Sequence, residues 1–322
     1  MNPYNILVSG ASGIVGYGVL RSLKNCGCKL IGTTIYKTSP ANCFADVVLQ
    51  PPMTTDASYI PWLVETIKQY KIDMIIPAIE ADMSCWNKHR KVLADTGTFV
   101  MLNNPQLIEL CLDKWEFYQK LKENNFPYAI ESSLNAQFDR FSLPFLLKPR
   151  CGFASKGIVK VESREVFEKY KSEIGPTLMM QEFVGTSDEE YTASGFFDNS
   201  HRLMAFIVMK RTLSKQGFTE MAQSVALPEL KGILEQLGQI FQPVGPTNFQ
   251  FRRHKNSWKL LEINPRISSS TSLKTAFGYN ECKMAVDYFL SKKALTQPPI
   301  KAARAIRYVE DYVFYEKDSV NI

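Results

Sequence analysis

Over residues 1–102, short apolar runs alternate with stretches whose apolar positions recur every three or four residues. The runs at 5–9, 29–35, 73–79 and 98–102 predict strands. The periodic stretches at 13–23, 59–70 and 85–94 predict helices, the first with Val15, Val19 and Leu23 on one face. That alternation implies a parallel sheet with right-handed crossovers. Asn103-Asn104-Pro105 is a helix-start signal. Leu107, Cys111, Trp115 and Tyr118 then carry one predicted helix to about residue 124, and a domain boundary is placed near its start. From residue 145 the pattern changes. Strands are predicted at 145–148, 157–161, 178–183, 190–197, 202–210, 220–226, 247–253 and 258–264, with helices at 164–174, 229–241 and 281–292 and a last strand or hairpin at 302–315. Many strands joined by short turns imply largely antiparallel sheets in an α+β domain.

Composition narrows the class. The 322 residues are 45% hydrophobic, 22% charged and 12% aromatic, which describes a folded chain of two or three domains. No apolar run is long enough to span a bilayer, and no basic leader precedes the first strand, so a cytoplasmic protein without a membrane partner is expected. Seven cysteines without a CxxC pair read as reduced thiols, and three scattered histidines make no metal cluster. The net charge of +6 is mild and interspersed, which argues against nucleic acid as a partner and leaves an anionic small ligand.

Two segments carry candidate chemistry. Gly10-Ala11-Ser12-Gly13-Ile14-Val15-Gly16 joins the first strand to the first helix and resembles a dinucleotide fingerprint. The second strand, however, ends Thr33-Thr34-Ile35-Tyr36-Lys37, without the acid that would bind ribose hydroxyls. The turn is therefore open to three readings: packing of helix on strand, an NAD(P) site with Lys37 on a phosphorylated ribose, or part of another substrate's site. The second segment is Gln250 followed by Glu262-Ile263-Asn264-Pro265-Arg266. Glu262 and Asn264 share a strand face, with Leu261 and Ile263 assigned to the opposite one. A turn centred near Asn256 places Gln250 across from Glu262. Oxygen donors without His or Cys suit Mg²⁺. Upstream stand Asp113-Lys114, Lys148 at the end of an apolar strand before the Gly/Ser loop 150–157, Gln181-Glu182-Phe183-Val184, and Glu190.

This order resembles the ATP-grasp superfamily, and most closely its branch containing the large subunit of carbamoyl-phosphate synthetase. The resemblance implies a Rossmann-like domain over residues 1–104 and a two-lobed ATP-grasp domain over 105–322, with a nucleotide-clamping lobe at about 113–185 and a metal-binding lobe at about 186–322. It implies that Lys114 and Lys148 contact ATP phosphates under a loop containing Gly152, Ser155 and Gly157. Glu182 and Val184 would line the adenine, and Glu190 (with Glu189 as its rival) would hold the ribose. Gln250, Glu262 and Asn264 would bind Mg²⁺ or Mn²⁺, Arg266 and Lys148 would be catalytic, and Lys210 or Arg211 would add charge near the γ-phosphate. The implied activity is an ATP-dependent ligase joining a small-molecule carboxylate to an amine through an acyl phosphate, with a homodimer as the expected assembly. An NAD(P)-linked oxidoreductase and a non-catalytic ATP-binding regulator are the alternatives. Arg304 and Arg307 are candidates for a substrate carboxylate, and Glu80 and Asp82 for an amine, although surface roles suit all four as well.

Overall fold

The computed structural model describes residues 3–152, 156–214 and 217–313. Its first part runs β1 (Tyr4–Val8), α1 (Ile14–Leu23), β2 (Cys28–Thr33), β3 (Val47–Leu49), α2 (Tyr59–Tyr70), β4 (Met74–Ile76), α3 (Glu80–Lys88), α4 (Arg90–Ala94) and β5 (Phe99–Val100). These strands form a parallel sheet in the order β3-β2-β1-β4-β5. Alternation along β1 explains the layering. Ile6 and Val8 face α1, meeting Val15, Val19 and Leu23, while Leu7 faces α2 and α3, meeting Leu63, Ile67 and Trp86. The sequence pattern did not anticipate β3, whose three residues are all only half-buried and too few to show a period. The helix expected at 85–94 is instead α3 and α4, broken at His89.

The glycine-rich turn closes on itself. A Cβ at Gly16 would lie 2.3 Å from the Gly10 carbonyl oxygen, so only glycine lets α1 approach β1 this closely. Ser12 Oγ lies 2.6 Å from both Thr34 Oγ1 and Ser39 Oγ, which ties the turn to the end of β2.

The second part runs α5 (Pro105–Leu110), α6 (Lys114–Glu123), β6 (Ser132–Ser133), β7 (Phe145–Pro149), β8 (Val159–Val161), α7 (Arg164–Tyr170), β9 (Leu178–Glu182), β10 (Glu190–Phe197), β11 (Leu203–Leu213), β12 (Thr219–Ser224), α8 (Glu229–Phe241), β13 (Gly245–His254), β14 (Ser257–Asn264), α9 (Thr271–Ala276), α10 (Glu281–Ala285) and β15 (Arg304–Ile306). Two antiparallel sheets result, β6-β9-β7-β8 and β14-β13-β10-β11-β12-β15. The single helix expected over 104–124 is two, because Asp113 caps a new start: its Oδ1 accepts from Trp115 N at 2.8 Å. The helix expected at 281–292 is α10 followed by a π-turn at Val286–Leu290.

The six-stranded sheet is two-faced. Tyr191, Ala193, Phe197, Val208, Phe249 and Phe251 share a core with Leu230, Ile233, Leu234 and Leu237 of α8. Register then puts Glu190, Thr192, Ser194, Gln250 and Glu262 on the other face. The chain also returns to its beginning. Cys282 and Ala285 of α10, with Phe289, join the same core as Ile6, Val15 and Val19. Behind them Lys274 and Glu281 form a fully buried ion pair, with Lys274 Nζ also donating to Ser194 Oγ at 2.7 Å. No helix among the described residues is long and apolar enough to cross a membrane.

Candidate functional site

The two antiparallel sheets face each other across a cleft. Its four-stranded wall supplies Leu146 and Lys148 from β7, Gln181 and Glu182 from β9, and Val184 just beyond. Its six-stranded wall supplies Glu190, Leu213, Gln250, Arg252, Leu261 and Glu262. Lys114, Gly152 and Lys156 close one side. Apolar side chains from both walls therefore flank a set of charged ones.

Lys148 is 7% exposed, with its Nζ 5.8 Å from the centre of the Tyr118 ring. Burial pulls its pKa down to about 8, despite the opposing attraction of Glu262 and Glu190, and Lys114 and Arg252 depress it further. A buried lysine with no ion pair among the described residues is costly unless an anion joins it. Lys114 Nζ donates to the Gly152 carbonyl at 2.7 Å, so it already touches the loop expected to cover phosphates. Arg150 binds Asp113 through Nη2 at 2.6 Å and Nε at 3.1 Å, pinning the start of that loop to the start of α6. Gly157 adopts φ +74, and a Cβ there would press on Pro149 at 3.0 Å. Ser155 lies outside the described residues.

On the opposite wall Gln250 pairs with Glu262 and Asn248 with Asn264, the register expected for the strand pair. The register shifts after Gln250, and Leu261 lines the cleft beside Glu262 instead of facing away. Tyr118 holds this irregularity by donating its hydroxyl to the Leu261 carbonyl at 2.6 Å. Glu190 faces the cleft, whereas Glu189 pairs outside it with Lys210 at 2.6 Å and accepts from the Tyr191 hydroxyl. Alternation along β11 likewise directs Arg211 inward and Lys210 outward. Glu190 is 5% exposed and carries both Arg211 and Arg252 at 2.8 Å, while Arg211 also donates to Gln250 Oε1 at 2.6 Å. Arg252 was missed from sequence, although it stands two residues after Gln250 and so on the same strand face.

Arg266 projects toward the first domain, where its Nη2 meets Glu80 Oε1 at 2.8 Å. Asp82 is not available to a ligand: it is buried and accepts from Thr54 at 2.6 Å and Tyr59 at 2.8 Å. Arg304 is exposed and bonds Gln223 at 3.1 Å. Arg307 is half-buried at the first domain's edge.

The donors fit a hard divalent cation in part. Glu262 makes no ion pair among the described residues, and Asn264 turns its amide N–H onto Glu262 Oε1 at 3.1 Å, leaving its own oxygen available. Gln250 presents an oxygen already claimed by Arg211. One carboxylate and one amide oxygen suit a cation that completes its shell with water and phosphate oxygens. No cluster of three or more His, Cys, Asp or Glu occurs among the described residues.

Comparison with known proteins agrees with this architecture. Residues 176–312 match the family described as ATP-grasp in the biosynthetic pathway with Ter operon, and residues 13–101 match the PylC-like N-terminal domain. The formate-dependent phosphoribosylglycinamide formyltransferase of Prochlorococcus marinus is 28% identical over 174 residues, covering 52% of this chain and 42% of that one. The match thus spans less than half of that protein's length. Among solved structures, N5-carboxyaminoimidazole synthetase from Staphylococcus aureus with ADP superimposes with a TM-score of 0.73 at 16% identity, over 92% of this chain and 80% of that one. The biotin carboxylase domain of Hydrogenobacter thermophilus 2-oxoglutarate carboxylase, a dimer with MgADP, gives 0.72 at 13% identity over 94% and 73%. L-amino acid ligase from Bacillus licheniformis gives 0.71 at 14% identity over 97% and 82%. Fold and cleft are of the ATP-grasp type: the second part of the chain matches an ATP-grasp family model, and the first matches the PylC-like N-terminal domain.

Proposed function

We propose that the protein is an ATP-dependent carboxylate–amine ligase that releases ADP and phosphate. The observation that carries this reading is the cleft between the sheets, where buried Lys148 faces Glu262 on the opposite strand pair, with Asn264 bonded to that carboxylate. ATP would lie with its adenine between Leu146 and Leu261, reading the edge of the strand at Glu182 and Val184. Glu190 has two of its roughly four lone-pair positions committed to Arg211 and Arg252, and the remainder would accept ribose hydroxyls. Lys114, Lys148 and the loop from Gly152 through Ser155 to Gly157 would hold the phosphates.

A carboxylate oxygen of the substrate attacks the γ-phosphorus, and the bond to the β-phosphate oxygen breaks, giving an acyl phosphate and ADP. The amine nitrogen then bonds the acyl carbon, phosphate departs, and the amine proton passes to solvent. Mg²⁺ or Mn²⁺, on Glu262 and Asn264 with Gln250 if Arg211 releases it, would neutralise charge on the phosphoryl oxygens. Lys148 and Arg266 stabilise the charge that shifts onto the transferred group. Glu80 orients Arg266 from the first domain. We place the enzyme in the cytoplasm as a homodimer, a state that light scattering checks.

The test is a coupled assay of ADP and phosphate with pools of carboxylates and amines. Equimolar release of both that depends on each pool is expected; AMP and pyrophosphate, or reduction of NAD(P), would overturn the reading.

A further inference from the structure

Arg307 sits just beyond β15, where three parts of the chain meet. Its Nη2 donates to the carbonyl of Ser269, its backbone N–H bonds the Glu220 carbonyl at 2.9 Å, and its guanidinium lies 6.0 Å from the centre of the Phe218 ring. Burial lowers its pKa and Arg21 of α1 lowers it further, while Tyr17 of α1 opposes both, in part through a side-chain hydrogen bond to the guanidinium. Its Nε and Nη1 are closed to solvent and have no hydrogen-bond partner, and no carboxylate lies within ion-pair distance among the described residues. A second cation, Arg21, adds to the local positive field instead of relieving it. Leaving charged donors buried and unmatched costs a protein free energy that a surface arginine avoids. The ring contact with Phe218 offsets only a fraction of this.

The location gives the cost a purpose. Ser269 follows Arg266 by three residues, so the two backbones stand at most about 10 Å apart. An anion on Arg307 would be held about one small-metabolite length from the group that Arg266 serves.

We propose that Arg307 anchors a carboxylate that the reaction does not consume, carried either by the amine substrate, as in an amino acid, or by a dicarboxylic acid as its second acid group. This rests on the ligase reading. The half-buried Tyr17 phenol yields its place beside the guanidinium when the carboxylate enters.

The full chain, wild type and with Arg307→Met or Arg307→Lys, tests this in two ways. In urea without ligand, Arg307→Met should unfold at the same or a higher denaturant concentration than wild type. A clearly lower midpoint would mark a cation with a structural partner and overturn the proposal. In the ADP-release assay, one arm compares L-amino acids with their amides, and a second compares succinate with propionate. Turnover should require the extra carboxylate in one arm, which names its source. There Arg307→Met should raise KM at least 30-fold with kcat within about threefold, and Arg307→Lys should recover part of it. Equal turnover without the extra carboxylate in both arms, or an unchanged KM, would overturn the anchor. Should wild type release no ADP in any arm, the ligase reading fails separately. The anchor then stands if L-alanine or succinate raises the thermal midpoint of wild type but not of Arg307→Met, and falls if neither does.

Discussion

Two regions of this molecule advertise phosphate binding, and they differ in where their charges go. The turn between β1 and α1 has the glycines of a phosphate cradle. Yet Gly16 packs against the Gly10 carbonyl, and the hydroxyls of Ser12, Thr34 and Ser39 bond each other. The cleft between the antiparallel sheets has few glycines but holds Lys148 buried without an ion pair among the described residues, with Lys114 and Arg252 lining the same cleft and Arg211 bound to Glu190 and Gln250. Glycine spacing alone describes backbone freedom, which packing and ligand binding exploit equally. A desolvated, uncompensated cation is harder to explain without an anion.

The sharpest way to break this comparison is Glu262→Gln. It should lower ADP release by about 100-fold or more, because it removes the carboxylate proposed to hold the divalent cation, while the urea midpoint stays close to wild type. Lys148→Met comes next. Equilibrium titration should show nucleotide affinity weakened about 10- to 100-fold, the loss of one charged hydrogen bond. The same variant should be more stable than wild type at pH 7. The folded state holds the Lys148 proton less tightly than the unfolded chain, with a pKa of about 8 against 10.5. The buried charge therefore costs stability below pH 8, on the order of 3 kcal/mol at most, and that cost fades as pH rises from 8 toward 10.5. ATP affinity of wild type should accordingly fall as pH rises through 8, and a flat profile would remove Lys148 from the phosphate site.

On the other side of the comparison, Gly16→Ala should destabilise the fold by about 1–3 kcal/mol in urea, because the new methyl meets the Gly10 carbonyl. ATP affinity should be untouched. Ser12→Ala should have the smallest effect, about 1 kcal/mol of stability at most, again without changing ATP affinity. A threefold or greater loss of ATP binding in either variant would make the turn part of the site. NADPH fluorescence that responds to Ser12→Ala would restore the dinucleotide reading.

Much of the fold was legible because side-chain period reports burial. The stretches that became α2, α8 and β10 were read with the bounds the structure shows, each having one clear apolar face. Misses fell where local signals compete. Asp113 reads as one more polar position in a long helix until its cap and its bond to Arg150 are seen. The irregularity at Leu261 depends on a hydroxyl donated by Tyr118, 143 residues away in sequence.

From sequence alone came the order of the lobes, the pairing of Gln250 with Glu262, and the choice of Lys148, Glu262, Asn264 and Arg266. The lobe order came from the family resemblance, and the residue choices from short-range spacing along single strands or one hairpin together with that resemblance. Only the tertiary structure decided which neighbours those groups meet. It set Glu80 on Arg266, turned Arg211 rather than Lys210 into the cleft, and brought α10 back onto the first domain's core. Those outcomes depend on contacts between residues far apart in the chain, where no periodicity operates and only packing and the cost of burying charge select the partner.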